Sequence, residues 1–231
     1  MTNISVQFVL KTPIKNIMTR AENIVVKTLN TKLKRAANIV KTKLPQLLIN
    51  AIKESPEYWA LSHNVSIEGR GQSSLYGEIG IPDIKERMDS IIEHWANNHE
   101  FDVKPFKYVG SMLQGGLTFR AIKADYSDVL SLPQAQSIVN SLSGHSTTLP
   151  WLEWLLIGGG GFIIRDYTYF QDPSVAQFSR TGTGIMISDP GGGWSIPQEY
   201  WGTQEDNFLT RKLDAELENI AKEIFDRLKK I

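Results

Sequence analysis

Eleven apolar positions, Ile14, Met18, Ala21, Val25, Leu29, Leu33, Ala36, Val40, Leu44, Leu47 and Ala51, cover 37 residues in ten steps, or 3.7 residues per step. That spacing is one apolar stripe on an α-helix, because side chains about 3.6 residues apart return to the same face. The basic residues mostly take the other side. Pro45 falls inside the pattern. Proline lacks a backbone donor and clashes with the preceding turn, so a kink or break is expected there. Unbroken, residues 14 to 53 make a rod of about 60 Å, whereas a chain of 231 residues packed as a sphere is about 45 Å across. The helix overshoots a spherical monomer.

The 25 basic and 25 acidic side chains cancel, but they are segregated. Residues 1 to 53 carry ten basic side chains against Glu22 alone, a net charge of +9. Residues 54 to 204 hold 9 basic and 17 acidic side chains, a net of −8, and the remainder of the chain carries −1. With 41% apolar and 22% charged residues the composition is that of a folded globular chain, large enough for one core or two small ones. The absence of cysteine excludes a disulfide framework, a thiolate metal site and a cysteine nucleophile. No apolar run approaches the roughly 18 residues that span a bilayer. Met1 to Lys11 alternates in polarity where a signal peptide has a solid apolar block, so a product assembled in a cytoplasm is expected.

Ile4, Val6, Phe8 and Leu10 share one face at period two, which predicts an opening strand. After the long helix, Ser55 to Trp59 reads as an irregular aromatic stretch and Leu75 to Ile81 as a short strand. Ile84, Met88, Ile91, Ile92 and Trp95 predict a second helix that ends at Asn97-Asn98. Phe101 to Val109 and Leu117 to Ala124 predict strands that form one antiparallel sheet with the opening strand. Residues 127 to 148 are polar, with a short helix at Pro133 to Leu142 before a Ser/Thr/Gly loop.

Residues 151 to 201 hold 10 of the 22 aromatic residues and 9 of the 18 glycines, but only 7 charged residues. Here a short helix is expected at Pro150 to Ile157 and strands at Phe162 to Phe170 and Gly184 to Ser188, with glycine turns at 158–161 and 191–193. From Thr203 an amphipathic helix carries Leu209, Leu213, Leu217, Ile220, Ile224, Leu228 and Ile231 on one side, with Thr203 to Asp206 as its cap.

No catalytic constellation emerges. Gly158 to Gly161 lacks the Lys-Ser/Thr ending of a phosphate loop, and Thr181-Gly-Thr-Gly184 enters a strand where a dinucleotide fingerprint needs a helix. His63, His94, His99 and His145 show no ligand spacing, and no nucleophile elbow accompanies His145. No enzyme activity, cofactor, metal or membrane partner is therefore expected. The basic helix allows three readings: a nucleic-acid backbone, an anionic membrane, or an acidic protein neighbour. Ala21 and Ala36 on its apolar face suit close protein packing, which favours the third. The tryptophans allow a small core, a contact surface, or a glycan-binding or hydrolytic module.

Leu149-Pro-Trp-Leu-Glu-Trp-Leu-Leu156, Ile163-Ile-Arg-Asp-Tyr167, Ser179-Arg-Thr-Gly-Thr-Gly-Ile-Met186, Trp194-Ser-Ile-Pro197 and Gly202 to Arg211 together resemble the neck proteins of tailed bacteriophages, also called tail-completion or head–tail joining proteins. The long basic helix, Ser55-Pro-Glu-Tyr58 and Gly77 to Asp83 extend the resemblance to about three quarters of the chain. Residues 125 to 148 have no counterpart in it. The resemblance implies a non-enzymatic virion subunit, assembled in the host cytoplasm. It would form a homo-oligomeric ring between portal or adaptor proteins on the head side and tail terminator, tube or sheath proteins on the tail side. Genome DNA would pass through the lumen without sequence-specific contact. Segregated charge agrees with head-to-tail contact, which closes into rings when the rotation allows.

The expected fold is α+β: four to six mainly antiparallel strands packed by the long N-terminal helix, with an amphipathic C-terminal helix. Residues 1–124 form the strand, helix and sheet core, 125–148 a connecting region, and 149–231 a Gly/Trp-rich hairpin segment with the last helix, within one domain. The expected subunit or partner contacts are Lys32, Lys34 and Arg35 on the basic helix, with Trp151, Trp154, Arg180, Trp194 and Trp201. The alternative function is nucleic-acid binding through the basic helix.

Overall fold

The structure is a computed structural model that describes residues 14–64, 74–98, 100–120, 125–140, 146–172, 174 and 176–229. The strand expected at Ile4 to Leu10 lies outside the described residues. The chain is α+β, with a long N-terminal helix, antiparallel strand pairs and a C-terminal helix.

Helix α1 (Ile14–Lys53) is 40 residues long and continues through Pro45, so the expected kink or break does not take the form of a break. Packing explains it. Val40, Leu44, Leu48 and Ile52 flank the proline and are each at most 3% exposed. Their burial is worth about 1.5–3 kcal/mol apiece, which outweighs the roughly 3 kcal/mol that an interior proline costs. The stripe is also built for an uncoiled rod: Ile14, Val25, Ala36 and Leu47 stand eleven residues apart, as do Met18, Leu29, Val40 and Ala51. Eleven residues in three turns is about 3.67 per turn, close to the helix's own period.

Two short helices occupy segments expected to be irregular or extended. In α2 (Pro56–Ser62) the Ser55 hydroxyl accepts from the Tyr58 amide at 3.1 Å, with Pro56 in the first turn. In α3 (Leu75–Ile79) Ser74 accepts from the Gly77 amide at 3.1 Å, and Gly80 ends the helix at φ +70°. A serine cap at one end and a left-handed glycine at the other overrode the strand-like alternation of Leu75 to Ile81. Helix α4 (Ile84–Asn97) follows as expected, with Ile84, Met88, Ile91, Ile92 and Trp95 buried.

Strands β1 (Glu100–Val109) and β2 (Met112–Arg120) form an antiparallel hairpin. Its ladder is interrupted between Lys104 and Lys107, opposite Gly116 and Gln114. There the Asn30 side chain of α1 stands in for a strand: Nδ2 donates to the Phe106 carbonyl at 3.0 Å, and Oδ1 accepts from the Phe106 amide at 2.7 Å. The hairpin is thereby clamped to α1.

Helix α5 (Ser127–Leu130) and a 3₁₀ turn at Pro133–Ala135 lead into β3 (Ser137–Asn140), which pairs with β4 (Ser146–Leu149). The helix expected at Pro133 to Leu142 is therefore one turn and a strand. Its β-branched Ile138 and Val139 find cross-strand partners in Thr148 and Thr147. Helix α6 (Trp151–Leu156) and strand β5 (Ile164–Phe170) agree with the sequence. Strand β6 (Ile185–Trp194) is longer than expected and absorbs the glycines at 191–193. Ser188 pairs with Tyr167 and Gly193 with Arg165, so residues 189–192 bulge opposite Asp166, whose φ is +60°. Among the described residues the strands make three separate two-stranded sheets and not one sheet of four to six.

Helix α7 (Phe208–Lys229) begins later than its expected cap. Asn207, fully buried, is the cap: its Oδ1 accepts from the Leu209 and Thr210 amides at 3.1 and 3.2 Å. Thr203 instead receives the Asp206 amide at 3.1 Å in the preceding turn. Asn207 also donates to the Tyr126 hydroxyl at 2.6 Å, which ties α7 to the segment before α5.

One apolar core runs from Val40 to Leu209 and draws on α1, α2, α3, α4, α6, β6 and α7. Helix α1 packs against α7, α4, β1 and α2. Among the described residues no helix is long and apolar enough to cross a membrane.

Candidate functional site

Two surfaces gather the residues that the sequence singled out. The first is a cavity of about 290 Å³ between α3, α6 and the β5–β6 ribbon. Trp154 and Trp194 meet in its wall edge to face, with ring centroids 5.9 Å apart at 69°. Glu78 of α3 is 5% exposed and accepts the Trp194 indole N–H at Oε2, 2.7 Å away. A hydrogen-bonded partner is what makes a buried carboxylate tolerable. Arg180 lies over Gly80, where a Cβ would come within 3.1 Å of its Nη2. Burial pulls its guanidinium below the usual value. Tyr169 donates to the Thr183 hydroxyl at 2.9 Å and closes the floor, and Phe178, 74% exposed, forms the rim. The cavity is thus aromatic, with one carboxylate and one guanidinium at separate points of its lining.

Trp154, Arg180 and Trp194 are therefore brought together, but the other two tryptophans are not. Trp151 is a correction to its expected contact role: it is fully buried, its indole N–H held by the Gln134 carbonyl at 2.9 Å. It is core. Trp201 is 36% exposed and donates its indole N–H to the Ile196 carbonyl. Its ring covers Gly160 so closely that a Cβ there would fall 2.3 Å from it. The glycine turn at 158–161 is thereby a seat for Trp201.

The second surface is the N-terminal part of α1. From Leu33 onward the stripe is buried apart from half-buried Leu47, but Ile17, Met18, Ile24 and Val25 are 42%, 60%, 66% and 44% exposed. Lys32, Lys34 and Arg35 all lie exposed on this helix, near the Asn30 clamp. None of the three makes a salt bridge among the described residues.

Two polar clusters were not found from the sequence. Asp89 receives Lys53 at 2.7 Å, Lys85 at 2.9 Å and the Tyr58 hydroxyl at 2.7 Å. Burial alone would raise its carboxyl, but these donors outweigh it and hold the group at about 2. Burial, then the bond to Asp89, pushes the Tyr58 phenol up. The Lys85 to Asp89 spacing of four on a helix was the legible signal. Arg211 of α7 bridges Glu57 of α2 at 2.7 Å and Asp206 at 3.0 Å, a pairing of distant segments that no spacing announces. Among the described residues no group of three or more His, Cys, Asp or Glu could hold a metal ion. Comparisons with protein-family models, curated proteins and solved structures returned no match.

Proposed function

We propose that the chain is a structural subunit of a tailed-phage virion, a neck protein whose copies form a ring joining the portal or adaptor complex to the tail around the DNA channel. The observation that carries the reading is α1: a helix longer than the globule needs, with exposed Ile17, Met18, Ile24 and Val25 on the part beyond its own core. Exposed apolar side chains in a row mark a surface that another chain covers. The neck-like motifs of residues 149–211 support the same reading. The subunit acts by contact, without chemistry, and its partners are further copies together with head-side and tail-side virion proteins.

Mass spectrometry of purified particles, together with imaging of the neck, tests it. The expected result is the chain in stoichiometric amount and ring density at the head–tail junction. Absence from particles overturns it.

Exposed Lys32, Lys34 and Arg35 favour a second reading, binding to a nucleic-acid backbone. It requires DNA binding that weakens steeply with salt, with a shallower slope once these three are neutralised. No binding at low salt excludes it.

A further inference from the structure

We infer that the exposed stripe of α1 docks on the β5–β6 ribbon of a second copy. This rests on the subunit reading above and names the two surfaces that meet.

The helix face sets the requirements. Ile17, Met18, Ala21, Ile24 and Val25 form one exposed apolar patch, and Lys15, Arg20 and Lys27 stand around it with Glu22 as the one acid between residues 14 and 35. Two such segments laid together would oppose like charges, so the occupant is not another α1. It must offer apolar surface edged with carboxylates.

The ribbon offers both. Phe170 and Ile187 share its outer face, since Phe170 pairs with Ile185 and Ile187 with Thr168, and they are 42% and 38% exposed. Phe162, 63% exposed, lies against Gly193 and extends the apolar surface toward the bulge, whereas Tyr167 pairs with Ser188 and belongs to the opposite face of the ribbon. Asp166 and Asp189 are exposed at the bulge and Asp172 lies beyond Phe170, three acids against Arg165 on the ribbon itself and Arg180 in the cavity it walls. The dimensions agree: the seven residues of β5 extend about 23 Å, and the helix from Ile14 to Asn30 about 24 Å. The two faces are different patches of the same molecule, so the contact is heterologous. Repeated from copy to copy, it generates a closed ring or a filament.

The cysteine-free chain makes the contact directly testable. Full-length protein carrying Met18→Cys and Ile187→Cys is mildly oxidised at concentrations up to 200 µM. A ladder of covalent multimers is expected from the double variant, and dimers only from an equimolar mixture of the two single variants. Asp166→Lys with Asp189→Lys should raise the self-dissociation constant at least tenfold, and Arg20→Glu with Lys27→Glu in the same chain should restore it. Circular dichroism of every variant separates loss of contact from loss of fold. A chain monomeric at every concentration, disulfide dimers joined through position 18 alone, or adsorption to anionic phosphatidylglycerol vesicles in place of the ladder overturns the inference. The particle assay keeps the two claims apart. A chain present in particles without the ladder ends this inference alone, and a ladder from a chain absent from particles ends the neck reading alone.

Discussion

The Trp194 indole N–H donates to the Glu78 carboxylate at 2.7 Å, across 116 residues of sequence, and so fastens strand β6 to helix α3 beneath the aromatic cavity. Removing the donor while keeping an aromatic ring leaves a buried carboxylate one hydrogen bond short. Trp194→Phe is expected to lower stability by about 1–3 kcal/mol, measured by urea unfolding. Glu78→Gln in the same background should recover part of that loss, because a neutral amide is cheaper to bury than an under-bonded charge.

Pro45 gives a prediction of opposite sign. Its ring occupies a helix kept continuous by the buried residues around it, so Pro45→Ala supplies the missing amide and removes the clash. A gain of about 1–3 kcal/mol is expected, reduced by roughly 0.4–1 kcal/mol because alanine frees the unfolded chain. Thermal unfolding of the pair checks it, and a destabilised variant contradicts the account given for α1.

Asp89 links stability to acid. Its carboxyl sits at about 2 in the folded chain, against about 3.9 when unfolded. A depressed carboxyl contributes stability that is present above about pH 4 and lost as pH falls through about 2. The contribution is on the order of 2 kcal/mol. Asp89→Asn should flatten the denaturation profile between those limits and leave Lys53 and Lys85 without their shared anion.

Asn207 caps α7 and reaches Tyr126, and it is fully buried. Asn207→Ala should cost about 1–3 kcal/mol through the lost cap and the lost bond to the Tyr126 hydroxyl, which keeps only its bond to the Gln204 carbonyl. Asn207→Asp, which keeps the cap acceptor but cannot donate to Tyr126, should fall between the two in chemical denaturation.

Helices α1, α4 and α7 were legible because each repeats an apolar residue every three to four positions against a polar background, and α6 as a short apolar run after Pro150. The β1–β2 and β5–β6 strands showed their β-branched and aromatic alternation. The short helices α2 and α3 were missed. Ser55-Pro56-Glu57 was a readable cap signal, but Leu75 to Ile81 alternates like a strand and is decided by Ser74 and Gly80 at its ends. The division into three hairpins was not readable, because strand pairing is set by tertiary contact and not by local pattern. In the site, the tryptophans drew attention as a group, yet Trp151 and Trp194 are both buried, and only the tertiary packing that puts Trp194 beside Trp154 makes it part of the cavity wall. Glu78 gave no signal of its own: a lone acid in an apolar segment reads as a surface position until its partner is known.

The Asn30 clamp gives α1 a fulcrum. The helix behind it is fixed by the core, while the sixteen residues ahead of it are a stiff arm of about 24 Å. A tilt of 10° about Asn30 would sweep the arm's tip through about 4 Å, roughly the height of three residues along an α-helix. In the proposed assembly such a tilt would let copies adjust their reach to neighbours at slightly different spacings without repacking their interiors.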